Sequence, residues 1–197
     1  MLDAEEISFY LSVFKGLDLK DIFDILKIAH VKKLAAGDVY IEQGATHQKL
    51  GYIRKGLIRA YHLRENGDDL TLLLQWEGKF IASHDTIIHQ RPSRFIYQAL
   101  EDTVLMEVDY NKALPILNNN PRLSSTQATF LRNMLAESMD RVESFVLLSP
   151  EERYLQLVRE KPNIVNRVPD KYLATLLGIT PVSLSRIRKR ISSQGRR

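Results

Sequence analysis

Apolar positions recur at helical spacing twice near the start of the chain. Ile7, Tyr10, Leu11, Phe14 and Leu17 form one stripe, and Ile22, Ile25, Leu26 and Ala29 a second. Lys15-Gly16 breaks them, and Asp18 or Lys20 can start the second helix. From residue 31 to about 109 the period falls to two. Short apolar runs alternate with turns marked by Gly37, Gly44, Gly56, Gly67 and Gly78, and Asn66-Gly67 is a hairpin signal because both residues tolerate positive φ. Many short, evenly spaced strands predict an antiparallel β-roll of the jelly-roll type, with Tyr97, Phe95, Phe80 and Trp76 in its core.

The helical period returns at about residue 110, and residues 122–148 contain no Gly or Pro. Leu131, Leu135, Met139 (or Ser138), Val142 and Val146 line one face of this predicted helix, and Phe130, Met134 and Phe145 a neighbouring one. Two apolar faces need two partners. The roll can cover one and a second copy of the helix the other, giving a parallel dimer; a single broad face in a monomeric core is the alternative. Ser149 with Glu152 then spells a capping box, Pro150 fits the first helical position, and the domain boundary falls near Leu148. Between "EKPN" and the last helices, "PNIVNRV" leaves room for one short strand at most.

The stretch "LATLLGITPVSLSRIRKRI", residues 173–191, carries the strongest pattern. Leu173, Leu177, Leu184 and Ile187 have the spacing of a core shared by two short helices, Ala174 is small where the helices cross, and Gly178 suits a turn of positive φ. Thr180 is placed to cap the second helix and Pro181 to begin it. Val182, Ser183, Ser185 and Arg186 would then face outward on its first turns, with Arg188, Lys189 and Arg190 behind. A major-groove reader needs this arrangement: N-terminal side chains at base edges, flanking cations on phosphates. Arg186 is the candidate for a bidentate contact to guanine, Val182 for a thymine methyl, and Ser183 and Ser185 for a base or phosphate. An αα-hairpin with a basic solvent face is the plainer reading.

Charge favours the first. The chain of 197 residues has a formal net charge of only +4, but residues 168–197 carry seven cations against Asp170 alone, a net +6 that leaves −2 on the rest. That asymmetry predicts a polyanionic partner for the C-terminal end. The absence of cysteine excludes disulfides, thiol nucleophiles and cysteine-bound iron–sulfur clusters. His84 and His89 are five apart, off a common helical face, and form no metal site. No apolar run reaches the ~20 residues of a membrane span. The acidic start, "MLDAEEISFYL", lacks the basic segment of a secretory leader, and a cytoplasmic protein is expected. No catalytic residue is expected, since the roll has no His-x-His pair with a nearby Glu.

The order of these zones resembles the Crp/Fnr family of bacterial transcription regulators over nearly the whole chain. "AAGDVYIEQG" followed by "LGYIRKGLIRAY" is similar to the family's first roll strands, and "LATLLGITPVSLSRIRK" matches its helix-turn-helix without gaps. The resemblance implies an α+β chain with two domains. Residues 1–148 would form a cyclic-nucleotide-binding-like roll with N-terminal helices and a dimerisation helix at about 122–148; residues 149–197 would form the DNA-binding domain. It puts Pro181, Val182 and Arg186 at base-contacting positions. It also implies a homodimer on double-stranded DNA, with RNA polymerase a further candidate partner. An effector-binding roll that signals without touching DNA is the alternative.

Two departures qualify the resemblance. Members that bind cyclic AMP have a Gly-Glu pair and, some ten residues later, Arg followed by Ser or Thr. Here "EGKFIASHDTIIHQRPSRF" gives Gly78-Lys79 and Ser93-Arg94. An ammonium replaces the carboxylate that accepts ribose hydroxyls, so cyclic AMP is not the expected ligand. Another small anion in a pocket of Gly78, Lys79, Phe80, Ser83, Ser93 and Arg94, or no ligand at all, both stay open. At the other end only "SSQGRR" follows Ile191. Phosphate contacts that a β wing makes in the family are expected instead from Lys171, Tyr172 and the terminal arginines.

Overall fold

The computed structural model describes residues 19–194. The first predicted helix, residues 7–17, and Arg196 and Arg197 lie outside them. The described chain begins with helix α1 (Leu19–Leu26), and eight strands follow: β1 (Ala29–Leu34), β2 (Val39–Ile41), β3 (Lys49–Lys55), β4 (Leu57–Leu63), β5 (Asp69–Trp76), β6 (Phe80–Ala82), β7 (Ile96–Ala99) and β8 (Thr103–Asp109). A four-residue helix, α2 (His84–Ile87), interrupts them. Six longer helices complete the described fold: α3 (Tyr110–Asn119), α4 (Pro121–Leu147), α5 (Pro150–Glu160), α6 (Pro162–Arg167), α7 (Asp170–Leu176) and α8 (Pro181–Gln194).

The strands form two four-stranded antiparallel sheets, ordered β1-β8-β3-β6 and β2-β7-β4-β5. Alternation along each strand sends one set of side chains between the sheets. There Leu34, Ile41, Ile53, Ile58, Ala60, Ile81, Tyr97, Ala99 and Leu105 make the roll core. Ala29, expected at the end of a helix, instead opens β1 opposite Val108. The Asn66-Gly67 signal lies in the loop between the paired strands β4 and β5, with Gly67 at φ 87° and its N–H donating to the Arg64 carbonyl. Gly56, at φ 106°, joins β3 to β4, and a Cβ there would collide with Thr103, so no side chain fits.

The strand allowed for in "PNIVNRV" is absent: Pro162 starts helix α6 instead, and Ile164 and Val165 are buried in the C-terminal core. That core also takes in Leu57 and Leu74 from the outer face of the β4–β5 sheet. Strand β4 is therefore covered on both sides. Ile58 and Ala60 point between the sheets, while Leu57 and Arg59 point outward beneath the C-terminal helices. Trp76, expected in the roll core, packs at this second contact. Helix α4 has 27 residues, about 40 Å, with Asn120 capping it and Pro121 in its first turn.

Candidate functional site

The two C-terminal helices have the predicted geometry. Leu173, Ala174, Leu177, Leu184 and Ile187 are all buried, each leucine or isoleucine contributing about 1.5–3 kcal/mol. The turn between α7 and α8 holds Gly178 at φ 70°. Thr180 caps α8: its Oγ1 accepts from Ser183 N at 3.1 Å and lies 3.0 Å from the Ser183 hydroxyl. The Ser149–Glu152 capping box forms at the start of α5. The pair α7–α8 is compatible with a helix-turn-helix.

Pro181, Val182, Ser185, Arg186 and Lys189 are exposed along α8, as is Lys171 on α7. Thr180 and Ser183 sit at the capped end, bonded to one another. The remaining cations are committed elsewhere. Arg188 donates to the Tyr154 hydroxyl (3.0 Å) and to Asp170 (2.7 Å), and Arg190 pairs with Glu151. Tyr172, expected on the outer surface, is turned the other way. Its ring lies 3.5 Å from the Arg59 guanidinium, which the Tyr61 ring covers from 3.9 Å. Arg59 is itself buried and donates to Asp69 (2.9 Å) and Gln98.

This stack is one of several ties between the roll and the C-terminal helices. Thr71 N donates to Thr175 Oγ1 (3.2 Å), whose hydroxyl donates to Thr71 Oγ1 (3.0 Å). Arg167 forks onto Glu77 (2.8 and 3.0 Å) and also bonds Glu101. Burial alone would raise the Glu77 pKa; the Arg167 and Gly56 N–H bonds outweigh it and lower it. Bonds to both carboxylates raise the pKa of Arg167 further. Arg153 donates to the Leu148 and Leu177 carbonyls (2.6 and 3.0 Å), and the Phe145 ring sits against Gly178. A Cβ on Gly178 would lie 2.9 Å from that ring, at a φ that side chains disfavour. Gly178→Ala is therefore expected to cost about 1–2 kcal/mol, measured by urea unfolding, and a Phe145→Ala background should remove the clash but not the backbone cost.

In the roll, the six effector candidates do not converge. Gly78 occupies a turn at φ 80° and Phe80 packs edge-on against Tyr52, 5.0 Å between centroids. Lys79 pairs with Glu137 on α4. Ser83 and Ser93 do meet, hydroxyl to hydroxyl at 3.0 Å, with both side chains buried. Arg94 is held by Asp85, a residue the sequence pattern did not single out. The Asp85 carboxylate is fully buried and accepts from Arg94 N (3.0 Å), Arg94 Nε (3.1 Å) and Arg91 (2.7 and 2.9 Å). Burial alone would raise its pKa; these bonds overcome it and hold the carboxyl well below the usual range. The His84 and His89 rings meet edge to face, centroids 6.1 Å apart, but among the described residues no three His, Cys, Asp or Glu are grouped to hold a metal.

Arg94 is thus already engaged by Asp85, and the Lys79 ammonium offers no acceptor.

Residues 31–120 match the family model described as cyclic nucleotide-binding domain. Electron transport regulator A of Shewanella oneidensis is 24% identical over 192 residues, covering 90% of this chain and 74% of that protein. A solved structure from Eubacterium rectale, assigned to the crp/fnr family of transcriptional regulators, superposes with a TM-score of 0.73 at 15% identity, covering 95% of this chain and 89% of that one. The c-di-GMP-responsive global regulator CLP of Xanthomonas campestris gives 0.71 at 17%, covering 90% and 93%. The fold is thus the one these solved regulators share, a roll of the cyclic nucleotide-binding-domain type followed by C-terminal helices. The proteins it resembles are regulators and not enzymes, and no helix among the described residues is long and apolar enough to cross a membrane.

Proposed function

We propose that the protein is a dimeric, sequence-specific DNA-binding transcription regulator acting in the cytoplasm. Residues 1–148 form its roll and dimerisation helix, and residues 149–197 read DNA. The observation that carries this reading is the outer surface of α8. Val182, Ser185, Arg186 and Lys189 are exposed on it, while the inner side is locked by Leu184 and Ile187. Arg186 is the cation there without a carboxylate partner among the described residues that also stands near the helix start, where a major-groove reader meets base edges. Lys171, Lys189 and, once released from Glu151, Arg190 supply phosphate contacts, with Pro181, Ser183 and the Thr180 cap shaping the approach. Tyr172 belongs to the joint with the roll and is left out of the reading surface.

Helix α4 leaves Leu135, Met139, Val142 and Val146 in water, and a second copy of the same stripe is the occupant that suits them. Such a pair would hold two α8 helices for successive major grooves, about 34 Å apart. The relatives' character as regulators supports the same reading, and RNA polymerase is a further partner to test. The roll serves as a scaffold or as the sensor of some ligand other than cyclic AMP.

The test is fluorescence anisotropy on an operator isolated by selection from random duplexes. Binding should weaken steeply with salt. Arg186→Ala is expected to lower discrimination by about 1–3 kcal/mol at one or two base pairs per half-site. Equal losses on operator and random DNA would make Arg186 a phosphate contact only. No salt-sensitive binding at all would leave a signalling roll without a DNA role.

A further inference from the structure

Helix α8 carries four cations, Arg186, Arg188, Lys189 and Arg190, and the fold treats them differently. With 3.6 residues per turn, Val182, Arg186, Lys189 and Arg190 share an arc of about 100° on the outer side of the helix. Arg188 points about 160° away from Arg186. There it donates to the Tyr154 hydroxyl and to Asp170, so it ties the domain together from within.

Arg190 is the exception on the outer arc. Its side chain is 59% exposed, one turn beyond Arg186, yet it pairs with the Glu151 carboxylate. Arg186 and Lys189 have no carboxylate partner among the described residues. Glu151 stands in the first turn of α5, where its side chain is only 25% exposed. The capping box of that turn uses Ser149 and Glu152 and leaves Glu151 spare. The pair is therefore no by-product of the cap. Nor does a partly exposed pair add much to stability. Its effect falls on whatever anion approaches Arg190 from outside.

A duplex is such an anion. An unpaired arginine that meets a phosphate contributes its full attraction and releases condensed counterions. An arginine already held by a carboxylate must first leave it. The attraction to Glu151 is then lost, and the uncovered carboxylate stands beside a phosphate of like charge. We propose that Glu151 is a built-in competitor for DNA phosphate: it holds Arg190 in the free protein and yields it in the complex, and so keeps DNA affinity below what the outer arc of α8 could supply. This rests on the DNA-binding reading above and adds to it the residue that limits affinity. Arg186 and Lys189, with no such partner, carry the charge that meets DNA first.

The experiment is a double-mutant cycle on the full chain. Anisotropy titrations use the selected operator and a random duplex, with the parent, Glu151→Gln, Arg190→Gln and the double variant. Glu151→Gln is expected to tighten binding to the operator about threefold or more, the scale of a surface pair lost at each of two reading helices. It should also steepen the salt dependence, by up to about 0.9 per reading helix. Arg190→Gln should weaken binding. In the Arg190→Gln background, the gain from Glu151→Gln should shrink to less than half, because the carboxylate then has no arginine to withhold. Glu151→Ala serves if the amide variant fails to fold, which circular dichroism reads. An equal gain with and without Arg190 would make Glu151 a repulsive charge and nothing more, and would overturn the proposal. So would no gain at all in a parent that binds DNA. If all four proteins lack salt-sensitive DNA binding, the reading above falls and this proposal with it.

Discussion

Glutamate at both Leu135 and Val142 is expected to leave a folded monomer whose operator affinity has dropped by a factor of 10²–10⁴, the usual loss when two linked binding units are separated. Both side chains are mostly in water in the single chain, at 64% and 55% exposure, and Val146 reaches 75%. Substitutions at such positions rarely change the stability of the chain that carries them. In a parallel pair, each introduced carboxylate would meet its own copy across the axis, with desolvation added to repulsion. Sedimentation velocity reads the assembly state, circular dichroism the fold, and anisotropy the affinity. A variant that stays dimeric would move the interface off this stripe. A monomer with undiminished operator affinity would remove the need for a dimer.

Removing Arg91 and Arg94 together is expected to cost about 3–5 kcal/mol at neutral pH, the range for leaving a buried charge without its partner. Asp85→Asn should cost less. The asymmetry lies in what each change leaves behind: Asp85 is fully buried, while the two arginines are about half in water, at 46% and 55%. The pH dependence should be weaker in the double variant than in the parent. In the parent, the folded-state pKa of Asp85 is depressed, so the unfolded chain takes up its proton first. The contribution of Asp85 is then complete above about pH 4, the unfolded carboxyl range, and is lost as pH falls toward the folded value. Without the arginine side chains, burial, which raises the folded-state pKa, is opposed only by the backbone N–H of residue 94 and by His84. The double variant should therefore lose less stability than the parent as pH falls below about 4. His84, whose Nε2 stands 3.7 Å from Asp85 and whose own pKa burial lowers, is the remaining titratable neighbour. Urea unfolding at a series of pH values reads both slopes. Parallel curves for parent and double variant would mean that the arginines do not hold the carboxylate ionised.

The two variants probe different halves of the molecule, and the contacts between those halves bear on both. Arg59 lies between Tyr61 and Tyr172, Thr71 bonds Thr175, and Arg167 bridges Glu77 and Glu101. These ties fix where α8 stands relative to α4. In a two-state reader, a ligand acts only through a difference in affinity for the two placements.

The chain's local chemistry determined its elements. Helical spacing at residues 173–187, a Thr-Pro start and a glycine obliged to take positive φ are properties of near neighbours. They define the paired helices before any packing is known. The period-two runs with glycine turns define the strands in the same way, and the uninterrupted stretch 122–148 defines the rod. Where the reading failed, it failed at short segments with no strong period. "PNIVNRV" is a helix because Pro162 opens a turn that buries Ile164 and Val165, and Ala29 joins a strand because β8 lies beside it. What only the tertiary structure decided is which charge meets which. Arg167 finds Glu77 and Glu101, 90 and 66 residues away, and Thr175 finds Thr71 across 104. Arg59 occupies an outward position in β4 that would be solvent in an isolated roll and is buried here by the arriving C-terminal helices. Arg141 looks like any surface cation in the sequence. Only folding half-buries it and brings it to the Leu176 carbonyl, because such pairing depends on distances of a few ångströms between segments whose separation along the chain carries no signal.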